Sequence, residues 1–243
     1  MKPTVLIIGD SWAGGEWDGG DQPNLLHRGL EQYFEEADYK VINQKKSGRG
    51  NQDSAIDLSN TLKRLPRILI QTNLVIFFIV SEPLRNYAIP FETLKDDIVA
   101  HDGLFELQQQ VLRQDFKILN QLAANHNIMI NLIGGLSSVP AFVSEFANLN
   151  CLVRSWAELL VGHDPQFNWV DWDTFGIWGK WQATLVQQLS HTSEIDRKVI
   201  DQLSVLASNQ SVFLHPLFNP DGGHPNRTGH RILFDFICEK LEL

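Results

Sequence analysis

Seven consecutive apolar residues, Leu74-Val75-Ile76-Phe77-Phe78-Ile79-Val80, constrain the fold of this chain more than any other stretch. The run is far short of the roughly 20 residues a helix needs to cross a bilayer. It is rich in β-branched and aromatic side chains, so it is expected as a strand. A strand apolar on both faces must be covered on both faces, as central strands of parallel sheets are.

Thr4-Val5-Leu6-Ile7-Ile8 has the same character, and residues 40–43 and 128–133 read as further strands. Between them the apolar spacing becomes helical. A helix is expected over about 24–36, with Leu25, Leu26, Leu30 and Phe34 on one side. Another is expected over 52–65 (Ile56, Leu58, Leu62, Leu65), stopped by Pro66. A long one follows over about 103–125, and others near 193–207 and 226–241. Strands alternating with helices predict an α/β fold, a parallel sheet with helices on both faces. No repeat, low-complexity tract or linker divides the 243 residues, so a single domain, 1–243, is expected.

The segment from about 140 to 190 stands apart. It holds Trp156, Trp169, Trp172, Trp178 and Trp181, five of the seven tryptophans, among Gly, Asp and Pro, and reads as a Trp-rich insertion. Such side chains either pack over the sheet edge or form a lid or cleft wall whose indoles stack on sugar rings.

A net charge of −9 argues against a nucleic-acid partner, and the pairs Lys45-Lys46 and Lys63-Arg64 read as solvated surface. Cys151 and Cys238 fit reduced, buried thiols better than a disulfide or a metal site. Met1-Lys2-Pro3 leads straight into strand-like residues without a signal-peptide pattern, so a cytoplasmic protein with no membrane partner is expected. The sequence leaves the oligomeric state open.

The chemistry lies in two short segments. Gly9-Asp10-Ser11 follows the first strand directly, and open α/β sheets place their chemistry at the carboxyl ends of strands. Asp221-Gly222-Gly223-His224-Pro225 offers an aspartate and a histidine three residues apart, just before the C-terminal helical pattern. A serine becomes a nucleophile when a base takes its proton, and an imidazole does so best when a carboxylate orients it. Competing motifs are missing: Ala13 breaks a Gly-x-Ser-x-Gly elbow, and neither a Walker loop nor Gly-x-Gly-x-x-Gly occurs. Asp10, Asp221 and His224 make a weak donor set for a divalent ion. Neither a metal nor a cofactor is expected.

Taken in order, these segments resemble the SGNH (GDSL-type) hydrolases. Ile8-Gly9-Asp10-Ser11 is similar to the first family block. Residues 43–51, Asn-Gln-Lys-Lys-Ser-Gly-Arg-Gly-Asn, resemble the second, and residues 221–225 the last. The resemblance implies a three-layer α/β/α domain with a flavodoxin-like parallel sheet of about four or five strands. It implies a carboxylic-ester hydrolase, an esterase or deacylase acting on a small-molecule or carbohydrate ester through an acyl-enzyme. Ser11 would be the nucleophile, His224 the general base and Asp221 its orienting partner. Gly48, or less favourably Gly50, would give a backbone N–H to the oxyanion.

The third block departs from the family. Where Gly-x-Asn-Asp is usual after the central strand, this chain has Ser81-Glu82-Pro83-Leu84-Arg85-Asn86, with Glu82 about where the oxyanion asparagine belongs. An ionised glutamate would repel the developing charge, and losing one oxyanion donor costs about 3 kcal/mol. Three resolutions are open. Glu82 is protonated or turned away, paired with Arg85 or a backbone amide; Asn86, Arg85 or Asn51 supplies a donor instead; or the site is weak. The last would make the chain a non-catalytic binding or structural module on the same scaffold.

Overall fold

The computed structural model describes residues 2–18, 24–83, 104–172, 175, 210–219 and 223–243. Its centre is the pair of apolar runs. β1 (Thr4–Gly9) lies parallel to β5 (Leu74–Val80), with Ile8 opposite Phe78. β4 (Lys40–Lys45) flanks β1 on the other side, and β6 (Ile130–Gly134) and β7 (Leu149–Val153) continue beyond β5. The order β4-β1-β5-β6-β7 is parallel throughout, the doubly wound, flavodoxin-like arrangement.

Strand alternation divides the core into two layers. Val5 and Ile7 of β1, with Phe77 and Ile79 of β5, point into one cluster. Leu6 and Ile8, with Ile76, Phe78 and Val80, point into the other. The first layer is closed by α1 (Leu30–Glu36) and by α6 (Arg227–Leu241), where Phe34 stacks on Phe77 at 5.6 Å and meets Phe234 edge-on at 5.0 Å. The second is closed by α2 (Asn51–Arg64) and by α4 (Leu104–His126). Pro66 ends α2, and a short α3 (Arg67–Thr72) leads into β5.

Four local expectations change. The helix expected over 24–36 begins only at Leu30. Residues 25–27 instead form β3 (Leu25–His27), paired antiparallel with β2 (Glu16–Trp17). Asp18 and Asn24 clasp this hairpin through backbone and side-chain hydrogen bonds, and Leu25 and Leu26 are left exposed. The segment 140–190 is in part integral to the sheet, since β7 pairs with β6 and is followed by α5 (Trp156–Val161). Trp156 there is fully buried, while Trp169 is half exposed; Trp178 and Trp181 lie outside the described residues. Ile56, expected on the inner face of α2, is exposed. Cys151 and Cys238 are free, but Cys151 is exposed rather than buried as expected, because β7 is an edge strand among the described residues. The helix expected near 193–207 lies outside the described residues. Among the described residues, no helix is long and apolar enough to cross a membrane.

Candidate active site

The carboxyl ends of β4, β1 and β5 lie side by side, and each leads into one of the segments singled out in the sequence. At the end of β1, Gly9 runs so close to β5 that an added Cβ would stand 2.8 Å from Ile79 Cβ. Asp10 then caps a short 3₁₀ turn, Ser11–Gly14, its carboxylate accepting the Trp12 N–H at 2.9 Å. Trp12 is buried against Trp156, Phe213 and Phe218, with ring centroids 5.5, 6.0 and 6.2 Å away. The turn and this anchor fix Ser11, which is itself buried.

His224 arrives from the other end of the chain. Its carbonyl accepts the Asn219 N–H at 2.7 Å, and Pro225 bridges to Phe218. Asn226 then caps α6, accepting the Gly229 N–H at 3.1 Å and donating to the Pro216 carbonyl at 2.6 Å. The result is a contact across 213 residues: Ser11 Oγ and His224 Nε2 are 2.6 Å apart. If Oγ donates, the ring is the neutral tautomer with its proton on Nδ1, the form a general base requires. Asp221 lies outside the described residues. Asp10 is committed to its turn.

After β4 the chain makes a turn closed by the Arg49 N–H on the Lys46 carbonyl at 3.2 Å. Gly48 occupies its third position with φ +74°, which a type II turn reserves for glycine, and nothing crowds its outer side. The turn alone accounts for a glycine here, whether or not its N–H meets an oxyanion. Gly50 is buried and leads into the first turn of α2.

Asn51 is buried, and its carboxamide bridges three segments. Oδ1 accepts the Ser81 N–H at 2.8 Å, and Nδ2 donates to the Ser81 carbonyl and to Asp115 Oδ2, both at 3.2 Å. That amide faces protein groups rather than an open cleft. Glu82 follows Ser81 at the end of β5 and is buried; Asn86 lies outside the described residues.

Some contributors have no role assigned to them from the sequence. Asn43 Nδ2 donates to the Ala13 carbonyl and to Glu31, both at 3.1 Å. Lys45 Nζ donates to the Gly14 carbonyl at 2.9 Å, so Lys45 ties the turn after Ser11 to β4 rather than standing in solvent; burial pulls its pKa below the usual lysine range. Asp115, on α4, is buried, and desolvation pushes its carboxyl up to about 6, although Asn51 and Gln52 work the other way. His230 is completely buried against Trp156, and desolvation lowers it to about 3, so it is neutral and packs as part of the core.

No protein-family model matches the sequence, and no curated protein matches it. Among solved structures, the chain is similar to the esterase EstA from Pseudoalteromonas sp., at 13% identity over 99% of this chain and 97% of that one, with a TM-score of 0.42. It is similar to a protein assigned to the lipolytic G-D-S-L family from Desulfitobacterium hafniense, at 13% identity over 98% and 99% of the two chains, TM-score 0.43. It is also similar to the lipase Lip_vut3 from a goat rumen metagenome, at 16% identity over 98% and 97%, TM-score 0.47.

Proposed function

We propose that this chain is a serine-dependent carboxylic-ester hydrolase of the SGNH type, an esterase or O-deacylase. One observation carries the reading: Ser11 Oγ lies 2.6 Å from His224 Nε2 at the carboxyl end of β1. A buried hydroxyl in direct contact with an imidazole is the arrangement that removes the serine's proton as it attacks.

His224 takes the Ser11 proton while Oγ attacks the ester carbonyl. The tetrahedral oxyanion is met by backbone N–H groups, for which Ser11 and Gly48 are the proposed donors. Collapse expels the alcohol with the proton from His224. Water then attacks the acyl-enzyme by the same route, returning Ser11 and a free acid. Asp221 is the carboxylate the sequence offers to hold the Nδ1 proton and stabilise the imidazolium. The substrate is a small-molecule or carbohydrate ester, and the chemistry calls for neither metal nor cofactor.

Glu82 favours a second reading. Glu82 is buried, and its place after β5 falls about where the resemblance puts an amide donor. On that reading the scaffold binds without turning over. Hydrolysis of p-nitrophenyl acetate and longer acyl homologues separates the two. The hydrolase loses its turnover in Ser11→Ala and in His224→Ala, each still folded by circular dichroism, and a fluorophosphonate labels the wild type at Ser11. Turnover unchanged in Ser11→Ala rules out Ser11 as the nucleophile, and a wild type neither active nor labelled favours the binding module.

A further inference from the structure

The loops that flank Ser11 on the β4 and β5 sides are stitched together by one buried side chain, Asn51, which rests on the carboxylate of Asp115, 64 residues further along the chain. Asn51 holds both backbone groups of Ser81 at the end of β5. Ser81 returns the grip, its Oγ donating to the Arg49 carbonyl at 2.9 Å, and Arg49 is itself ion-paired with Asp57 on α2. Asp115 Oδ2 adds a third hold on the Asn51 amide by accepting from Nδ2. The other oxygen of Asp115, Oδ1, is buried without a hydrogen-bond partner.

Nothing about stability asks for a carboxylate at this place on α4. Leu112, Phe116 and Leu119 beside it in sequence pack into the core, and burying an incompletely satisfied carboxylate opposes folding. An apolar residue would fill the space without that penalty, yet it would leave the Asn51 amide held by Ser81 alone.

We propose that Asp115 is a positioning residue for the candidate active site, which fixes the Asn51 carboxamide and thereby holds the 46–51 loop and the 81–83 loop in register on either side of Ser11. The inference rests on the hydrolase reading only for its effect on turnover. Oxyanion donors act by being in place before charge develops, so loosening the loops that carry them lowers kcat more than it changes substrate binding.

The test is Asp115→Leu, Asp115→Asn and Asn51→Ala, assayed beside the wild type. In Asp115→Leu, kcat falls about 10- to 100-fold with KM within about twofold, while the unfolding midpoint at pH 7.5 stays level or rises. Asp115→Asn, which keeps an oxygen for the Asn51 amide, restores most of the rate. Asn51→Ala repeats the kcat loss. A rate within twofold of wild type in folded Asp115→Leu overturns the proposal, as does a midpoint that falls in step with the rate. Should Asp115→Leu not fold, Asn51→Ala and Asp115→Asn carry the same comparison. Amide hydrogen exchange over residues 46–51 and 81–83 gives a readout independent of turnover. Faster exchange there in Asp115→Leu supports the positioning role even if the wild type hydrolyses nothing. Unchanged exchange overturns that role and leaves the hydrolase reading standing.

Discussion

Trp12 bears the mechanical load next to the candidate nucleophile. Its indole is 1% exposed and touches three aromatic rings, from α5 and from the segment that precedes His224. Trp12→Ala removes one of the largest buried side chains, and stability is expected to fall by about 3–5 kcal/mol, read by urea unfolding. Because the same ring anchors the turn that presents Ser11, fluorophosphonate labelling should slow in Trp12→Ala by more than in Trp12→Phe. Equal labelling in all three would show that the Asp10 cap alone positions the serine. Ser11 and His224 were legible in the sequence because their chemistry needs those residue types at those places. Asn51 was not: a carboxamide can donate into a cleft or clamp a backbone, and only the fold, by bringing Ser81 and Asp115 within reach, decides.

At the scale of elements, apolar runs spoke clearly and short polar ones did not. β1 and β5 follow from both-face hydrophobicity, and α2 ends where Pro66 requires. β7 was hidden because its sequence, Leu-Asn-Cys-Leu-Val, is an edge strand with exposed centre residues and sits in a tryptophan-rich stretch. The β2-β3 pairing was hidden because Leu25 and Leu26 mimic a helical face while Asp18 and Asn24 hydrogen-bond beside the two strands. The start of α6 matters most to function. Asn226 caps that helix two residues after His224, and its amide also holds the Pro216 carbonyl. Asn226→Ala is expected to cost about 1 kcal/mol in stability and to lower Ser11-dependent turnover further than that loss explains, because the His224 backbone loses its frame. Asn226→Asp restores the cap but not the donation to Pro216. A rate that recovers with the cap alone would place the effect in α6, and one that stays low would place it in the Pro216 tether.

At the scale of the whole molecule, two buried groups among the described residues, Asp115 and His230, pull the pH dependence of stability in opposite directions. Asp115 has its pKa raised from 3.8 to about 6 in the folded state. Below about 4 both states hold the proton and Asp115 is neutral to folding. As pH rises from about 4 to about 6, the unfolded chain gives up the proton first, and the full penalty, about 3 kcal/mol, stands above pH 6. His230 has its pKa lowered from 6.5 to about 3. Its contribution is whole above pH 6.5 and drains as pH falls towards 3, by about 5 kcal/mol in all. Between pH 6.5 and 4 the relief at Asp115 offsets most of the loss at His230, so these two groups together leave stability nearly level there. Below pH 4 Asp115 gives no further relief, while the loss at His230 continues. Asp115→Asn separates the two. Urea unfolding at pH 7.5, 6, 5 and 4 should show the variant gaining on the wild type at high pH, with its advantage shrinking by about 2 kcal/mol on the way to pH 4. A stability difference that is constant across this range would mean that Asp115 does not titrate within it. The level wild-type curve would then need another carboxylate as its source.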